Sequence, residues 1–129
     1  MVTFTTTLAA LSAIFATALA APTQGDAVNS LEARDNTGSI TYFNPGLGAC
    51  GQTNGDNDAI VAVSAALYDS QHPCNRNIRV SYHGRSVVVK VVDRCTGCAF
   101  NDLDLSPSAF RQVIGDLGIG RATATWAWA

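Results

Sequence analysis

Aspartate and histidine are the residues that could carry acid–base chemistry in this chain, because the part after Arg34 contains no glutamate. Neither His72, which precedes a proline, nor His83, which precedes a glycine, has the spacing of a metal ligand. We therefore expect no metal site and no cofactor, and the aspartates become the candidate functional residues. They stand at positions 35, 56, 58, 69, 93, 102, 104 and 116.

Asp102 and Asp104 alternate with leucines in the segment Asn101–Leu105. In a strand, a period of two sends Leu103 and Leu105 to one face and both carboxylates to the other. We expect the leucines in a core and the carboxylates on a surface or groove just before a helix. Apolar surroundings would raise the pKa of Asp104 and a helix N-terminus would lower it, and the sequence does not decide between them.

Asp93 ends an apolar strand predicted over residues 86–93. Alternation places it on the same face as the valines at 87, 89 and 91, in a semi-buried position. A carboxylate there costs free energy unless it is paired. Asp93 is therefore either a cap or a salt-bridge partner of Arg94 or Arg79, or a functional carboxylate.

The N-terminus predicts export. The segment Leu8–Ala20 is uncharged and ends in small residues, so residues 1–20 are typical of a secretory signal peptide. A membrane anchor or a mitochondrial leader is the alternative. Residues 21–34 are polar and patternless, as in a pro-segment or a disordered tail, which leaves residues 35–129 as the domain. We expect a secreted protein, extracellular or in the cell wall.

The composition indicates a folded protein, since 47 % of the residues are hydrophobic and 14 % are charged. A formal net charge of −2 argues against a nucleic-acid binder, which would present a basic surface. No segment after the leader approaches the length of a membrane span. We expect a monomer with neither nucleic acid nor membrane as a partner.

Four cysteines in a small exported domain predict two disulfides, for which three connectivities are open: Cys50, Cys74, Cys95 and Cys98. A Cys50–Cys74 bond would stabilise the fold by about 3 kcal/mol. The C-x-x-C at Cys95 and Cys98 also fits a redox or zinc site. It lacks a thioredoxin-like context and a second ligand pair, so structural disulfides are favoured.

Short apolar runs predict a mainly β fold of about six strands and one clear helix. The helix begins at Ser106 and Pro107, its apolar stripe continues to Leu117, and either Gly115 or Gly118 ends it. Trp126 and Trp128 share one face of the last strand, as core residues or, alternatively, as a sugar platform. Because closure removes exposed edges, the strands favour a small closed barrel. The predicted strands lie near 39–43, 59–64, 78–82, 86–93, 101–105 and 121–129.

Four segments together resemble the double-psi β-barrel superfamily of expansins, barwin-like proteins, family-45 endoglucanases and the rare lipoprotein A domain. The chain is most similar to small fungal single-domain expansin-like (loosenin-like) secreted proteins. The resemblance spans Gly38 to Trp128 and implies a six-stranded double-psi β-barrel with one or two short helices. The matching segments are GSITYF at 38–43, GLGACG at 46–51, VVDRC at 91–95 and LDLSPSAF at 103–110.

The resemblance also implies a site. Asp104 matches the aspartate that expansins need for wall loosening and that the endoglucanases use as general acid. Asp93 matches the family's groove aspartate. Thr41, with Tyr42 beside it, matches the threonine of the family's first strand. Asp102 joins these as a candidate polysaccharide-binding residue because it shares the face of Asp104.

The same resemblance implies a disulfide pairing, and this chain differs from the family's endoglucanases at one catalytic position. It implies that Cys50 pairs with Cys74, which leaves Cys95 for Cys98. The endoglucanases carry a catalytic base just after the first strand, where this chain reads Phe43-Asn44-Pro45. Since an inverting enzyme needs an acid and a base roughly 6.5–9.5 Å apart, a missing carboxylate on that side argues against hydrolysis.

The sequence therefore predicts a secreted, non-hydrolytic domain that binds and loosens cell-wall polysaccharide, either glucan or chitin. One alternative is a weak endoglucanase or lytic transglycosylase with Asp104 as general acid. The other is a barwin-like or kiwellin-like defence protein, effector or protease inhibitor.

Overall fold

Alternating and β-branched segments form six strands in the computed structural model, which describes residues 35–129. They close into a barrel in the order β1-β5-β2-β4-β3-β6. The β1/β5 and β2/β4 pairs are parallel and the other four pairs are antiparallel. This confirms the predicted six-stranded double-psi β-barrel, whereas the predicted leader and pro-segment lie outside the described residues. The strands are β1 Asn36–Tyr42, β2 Ile60–Ser64, β3 Asn77–Tyr82, β4 Arg85–Cys95, β5 Leu103–Leu105 and β6 Ala122–Trp128.

The barrel interior is filled from alternate positions of the strands. Leu103 and Leu105 are fully buried and Asp104 between them is half-buried, as alternation predicted. Trp126 lies in the core at 1 % exposure, and Trp128 is partly buried and packs against that core. The prediction of a core role for these two tryptophans is therefore confirmed.

Two short helices flank the barrel, α1 at Ala65–Gln71 and α2 at Pro107–Val113. The Ser106 hydroxyl accepts the Ala109 N–H over 3.3 Å, which is the predicted N-cap. Of the two predicted ends of α2, Gly115 is confirmed and Gly118 is wrong, so Leu117 of the predicted apolar stripe lies beyond the helix. The backbone leaves the helix at Gly115, where φ is +130°, and Leu117–Ile119 form a separate 3₁₀ turn.

A β-bulge in β4 decides where Asp93 points. Val61 of β2 lies opposite Val91, but the next residue, Ala62, lies opposite Asp93, so Val92 is the extra residue. Because a bulge shifts the alternation of faces beyond it, the prediction that Asp93 shares the face of Val91 is wrong. Asp93 is instead in register with Ala62, whose neighbours Val61 and Val63 face the core.

Two disulfides join Cys50 to Cys74 and Cys95 to Cys98. The first attaches the loop after β1 to the loop after α1, and the second closes the turn that follows β4. Both pairs are those that the family resemblance implies. In residues 35–129 no helix combines the length and apolar character needed to cross a membrane.

Candidate functional site

Four strands place Thr41, Asp104, Ala62 and Asp93 side by side on the outside of the barrel. In the ladder, Thr41 is the partner of Asp104, Asp104 of Ala62, and Ala62 of Asp93. All three polar residues are half-buried, and no enclosed pocket covers them in the described part of the chain. We call these four residues the aspartate row.

Thr41 holds one oxygen of Asp104. Its hydroxyl donates to Asp104 Oδ1 over 2.9 Å, and within residues 35–129 Asp104 Oδ2 accepts no hydrogen bond. Burial raises the pKa of Asp104 above its ordinary value, and the negative charge of Asp93 adds to this rise. The Thr41 hydrogen bond and the positive charge of Arg121 act in the opposite direction. The row therefore offers a carboxyl group with one free oxygen and an increased hold on its proton.

The loop after β1 holds Asp93 in place. Asp93 Oδ1 accepts the Ala49 N–H over 2.9 Å and the Arg94 N–H over 2.8 Å. The same loop is held on β4 by the Cys50 N–H, which donates to the Val92 carbonyl over 3.1 Å. Within residues 35–129, Asp93 forms neither of the salt bridges considered for it, with Arg94 or with Arg79; the Arg94 guanidinium pairs with Asp69 at 2.8 Å.

The structure does not bring Tyr42 or Asp102 into the row. Tyr42 alternates with Thr41, and its ring packs against Phe110 on the core side with centroids 5.0 Å apart. The two oxygens of Asp102 accept backbone N–H groups from Ser39 over 3.0 Å and Ala99 over 2.9 Å. Both residues support the site from its margins, and Asp102 joins β1 to the loop before β5.

A family model for double-psi β-barrels, described as "Lytic transglycolase", matches residues 35–123. The chain belongs to this double-psi β-barrel family.

Two relatives show what this double-psi barrel is similar to. The "Allergen Asp f 7 homolog" of Arthroderma benhamiae is 36 % identical over 84 residues, or 60 % of this chain and 29 % of the allergen. The papain inhibitor of Streptomyces mobaraensis is 35 % identical over 85 residues, or 60 % of this chain and 59 % of the inhibitor. The chain therefore spans less than two thirds of either relative's sequence.

Solved structures give the same family. The Streptomyces papain inhibitor has a TM-score of 0.66 and 30 % identity, covering 74 % of this chain and 94 % of the inhibitor. A mutant Clavibacter michiganensis expansin in complex with cellohexaose has a TM-score of 0.67 and 27 % identity, covering 74 % of this chain and 50 % of the expansin.

The sequence did not predict that the Asp56 carboxylate lies near the end of β1 in the double-psi barrel. The Asn44 amide donates to both oxygens of Asp56, over 3.1 and 3.2 Å. The prediction that this side has no carboxylate is therefore wrong: a loop brings Asp56, which is 12 positions further along the chain, back to Asn44. The sequence did not predict this contact, because a contact formed through a loop leaves no periodic pattern in the sequence.

Arg121 was also missed. It immediately precedes β6, where Ala122 pairs with Ile40, so the same register sets Arg121 beside Thr41 at the end of the aspartate row. Its charge acts on the pKa of Asp104. Within the described chain, no group of three or more His, Cys, Asp or Glu side chains is placed to hold a metal ion.

Proposed function

We propose that this double-psi barrel is an exported, non-hydrolytic, expansin-like domain that binds cell-wall polysaccharide, glucan or chitin, and loosens it. The observation that supports this most is the Thr41–Asp104 pair on an open face, with Asp104 Oδ2 left free for a ligand. The similarity to an expansin in complex with cellohexaose supports a sugar polymer as ligand. Two disulfides and the predicted leader support export.

Binding would work through hydrogen bonds to sugar hydroxyls. An ionised carboxylate forms charge-assisted hydrogen bonds, which are shorter and stronger than neutral ones. Asp104 Oδ2 would accept a sugar O–H, and Asp93 Oδ2 would accept a second one further along the row. Each bond would replace a contact between neighbouring polysaccharide chains, so the chains separate without any covalent change.

The test compares two variants of the full chain, secreted and processed by the expression host. Asp104→Ala should weaken binding to microcrystalline cellulose or chitin by about 10-fold or more, as expected for loss of a charged hydrogen bond. Asp35→Ala is the matched control, because Asp35 is exposed and lies outside the row. Equal binding by wild type and Asp104→Ala would contradict the proposal.

A second candidate function is bond cleavage, and the raised pKa of Asp104 favours it. A carboxyl group that keeps its proton can protonate a glycosidic oxygen, which is the general-acid step. Asp56, found beside Asn44, is then the candidate base of an endoglucanase. Release of reducing ends that both Asp104→Asn and Asp56→Asn abolish would support hydrolysis. Anhydro-sugar products lost only in Asp104→Asn would support transglycosylation.

A third candidate function is inhibition of a protease, and the similarity to papain inhibitor favours it. The loop after β1 presents Leu47 at 75 % exposure, beside the Cys50–Cys74 disulfide. A preorganised loop with an apolar tip loses little conformational entropy on binding. Inhibition of papain that Leu47→Ser abolishes and Ile119→Ser retains would support this function; Ile119 is similarly exposed at 50 %.

A further inference from the structure

Phe100 is an exposed aromatic side chain in the turn between β4 and β5. Its side chain and backbone are 48 % accessible, although burial of a phenylalanine is worth about 1.5–3 kcal/mol. Single exposed apolar residues are common, so the position of Phe100 relative to the aspartate row is what makes it a candidate contact residue.

The backbone around Phe100 is held by two side chains from other strands and one from its own turn. Ser64 Oγ donates to the Phe100 carbonyl over 2.8 Å, and Trp126 Nε1 donates to the Asn101 carbonyl over 2.8 Å. The Asp102 carboxylate accepts the Ala99 N–H over 2.9 Å. The exposed ring is therefore attached to a backbone segment that is already ordered, so ligand binding costs little conformational entropy in this segment.

Phe100 also lies close to the aspartate row. Ser64, which binds its carbonyl, is two residues beyond Ala62 on the same face of β2. Residues at that spacing are about 6.6 Å apart along a strand. Ala62 is the ladder partner of both Asp104 and Asp93, so it lies at the centre of the row. The Phe100 carbonyl, which Ser64 binds, therefore lies next to the β2 position two residues beyond that centre.

We propose that the Phe100 ring is a stacking platform for a pyranose ring of the polysaccharide, while the aspartates bind its hydroxyls. This rests on the proposed function. A pyranose has hydroxyls at its edge and C–H groups on its faces, so a polar row beside an apolar ring matches both surfaces. The arrangement selects a glycan of pyranose units over a small polar ligand, because only a longer chain contacts the ring and both aspartates.

Calorimetric titration of the full chain with cellohexaose and with the hexamer of N-acetylglucosamine tests the platform. Phe100→Ala should weaken binding of the preferred hexaose by about fivefold or more, and Phe100→Trp should retain it. Val88→Ala is the control, since Val88 is 39 % exposed elsewhere on β4. Circular dichroism checks that each variant is folded. In Phe100→Trp, the added tryptophan emission should shift to shorter wavelength when the hexaose binds.

The outcomes separate the platform from the function it serves. If Phe100→Ala binds as wild type does while Asp104→Ala has lost affinity, the platform is wrong and the proposed function stands. An unshifted tryptophan emission in a hexaose-bound Phe100→Trp variant also overturns the platform. If the wild type binds neither hexaose nor insoluble polysaccharide, both proposals fail.

Discussion

Thr41 and Asp104 are paired through both backbone and side chain. Their backbones are register partners in the parallel β1/β5 pair, and the Thr41 hydroxyl donates to Asp104 Oδ1 over 2.9 Å. The side-chain hydrogen bond occupies Oδ1 of the Asp104 carboxylate and leaves Oδ2 for a ligand. It also favours the ionised form, against the burial that favours the protonated form. Thr41 thereby controls both the orientation and the proton affinity of Asp104.

Thr41→Val should raise the pKa of Asp104 further, because the variant loses the hydrogen bond that lowers it. Binding of polysaccharide should weaken about two- to tenfold, as for loss of one hydrogen bond. Titration of the Asp104 carboxyl carbon by NMR measures the pKa directly. Thr37→Val, on the exposed face of the same strand, should change neither quantity. A pKa that falls in Thr41→Val would contradict this role.

Asp104→Asn should stabilise the folded chain at neutral pH. The folded state holds the Asp104 proton more tightly than the unfolded state, so the wild type loses stability as pH rises above about 3.8 and through the raised pKa. The variant has no such loss. The melting temperature of Asp104→Asn should therefore exceed that of wild type at pH 7, and the gap should close toward about pH 3. A gap that widens in acid would contradict the raised pKa.

The sequence predicted Asp104 well and Asp93 less well, for a physical reason. β5 is short and regular, so alternation with Leu103 and Leu105 determined the outer face of Asp104. β4 contains the extra residue Val92, and nothing in a run of valines marks which one is bulged. The partner strand determines the bulge, so this part of the site depends on tertiary pairing.

Gly48→Ala should destabilise the loop that holds Asp93. A Cβ at Gly48 would overlap the backbone carbonyl oxygen of Val92, so the loop must shift away from β4. We expect a loss of about 1–3 kcal/mol in the free energy of unfolding and weaker polysaccharide binding. Gly46→Ala is the control from the same loop, because no atom lies within 4 Å of its added Cβ. Equal urea midpoints for the two variants would show that the contact is unimportant.

Removal of the Cys50–Cys74 disulfide should cost more stability than removal of Cys95–Cys98. The two bonds span sequence separations of 24 and 3. Loop-closure entropy then predicts losses of about 3.4 and about 1.6 kcal/mol. Urea unfolding of the paired Cys→Ser variants measures both. The reverse order would mean that native-state contacts, and not the unfolded chain, dominate the effect.

The candidate contacts in loops were beyond sequence analysis. Asp56 reaches Asn44 through a glycine-rich loop, and Phe100 lies in a turn whose sequence has no period. Their placement depends on hydrogen bonds to groups distant in sequence, such as Asn44 to both oxygens of Asp56 and Ser64 to the Phe100 carbonyl. By contrast, the six strands, the N-cap Ser106 and the core tryptophan Trp126 follow from local pattern.

The aspartate row, as proposed above, binds polysaccharide without cleaving it. One experiment tests both halves: purified full chain is incubated with cellulose and with chitin, and bound protein and released reducing ends are measured in the same tube. We expect saturable binding that Asp104→Ala weakens about 10-fold, with reducing ends at the level of the protein-free control. Reducing ends that accumulate with wild type and disappear in Asp104→Ala, or binding that is indifferent to Asp104, would contradict it.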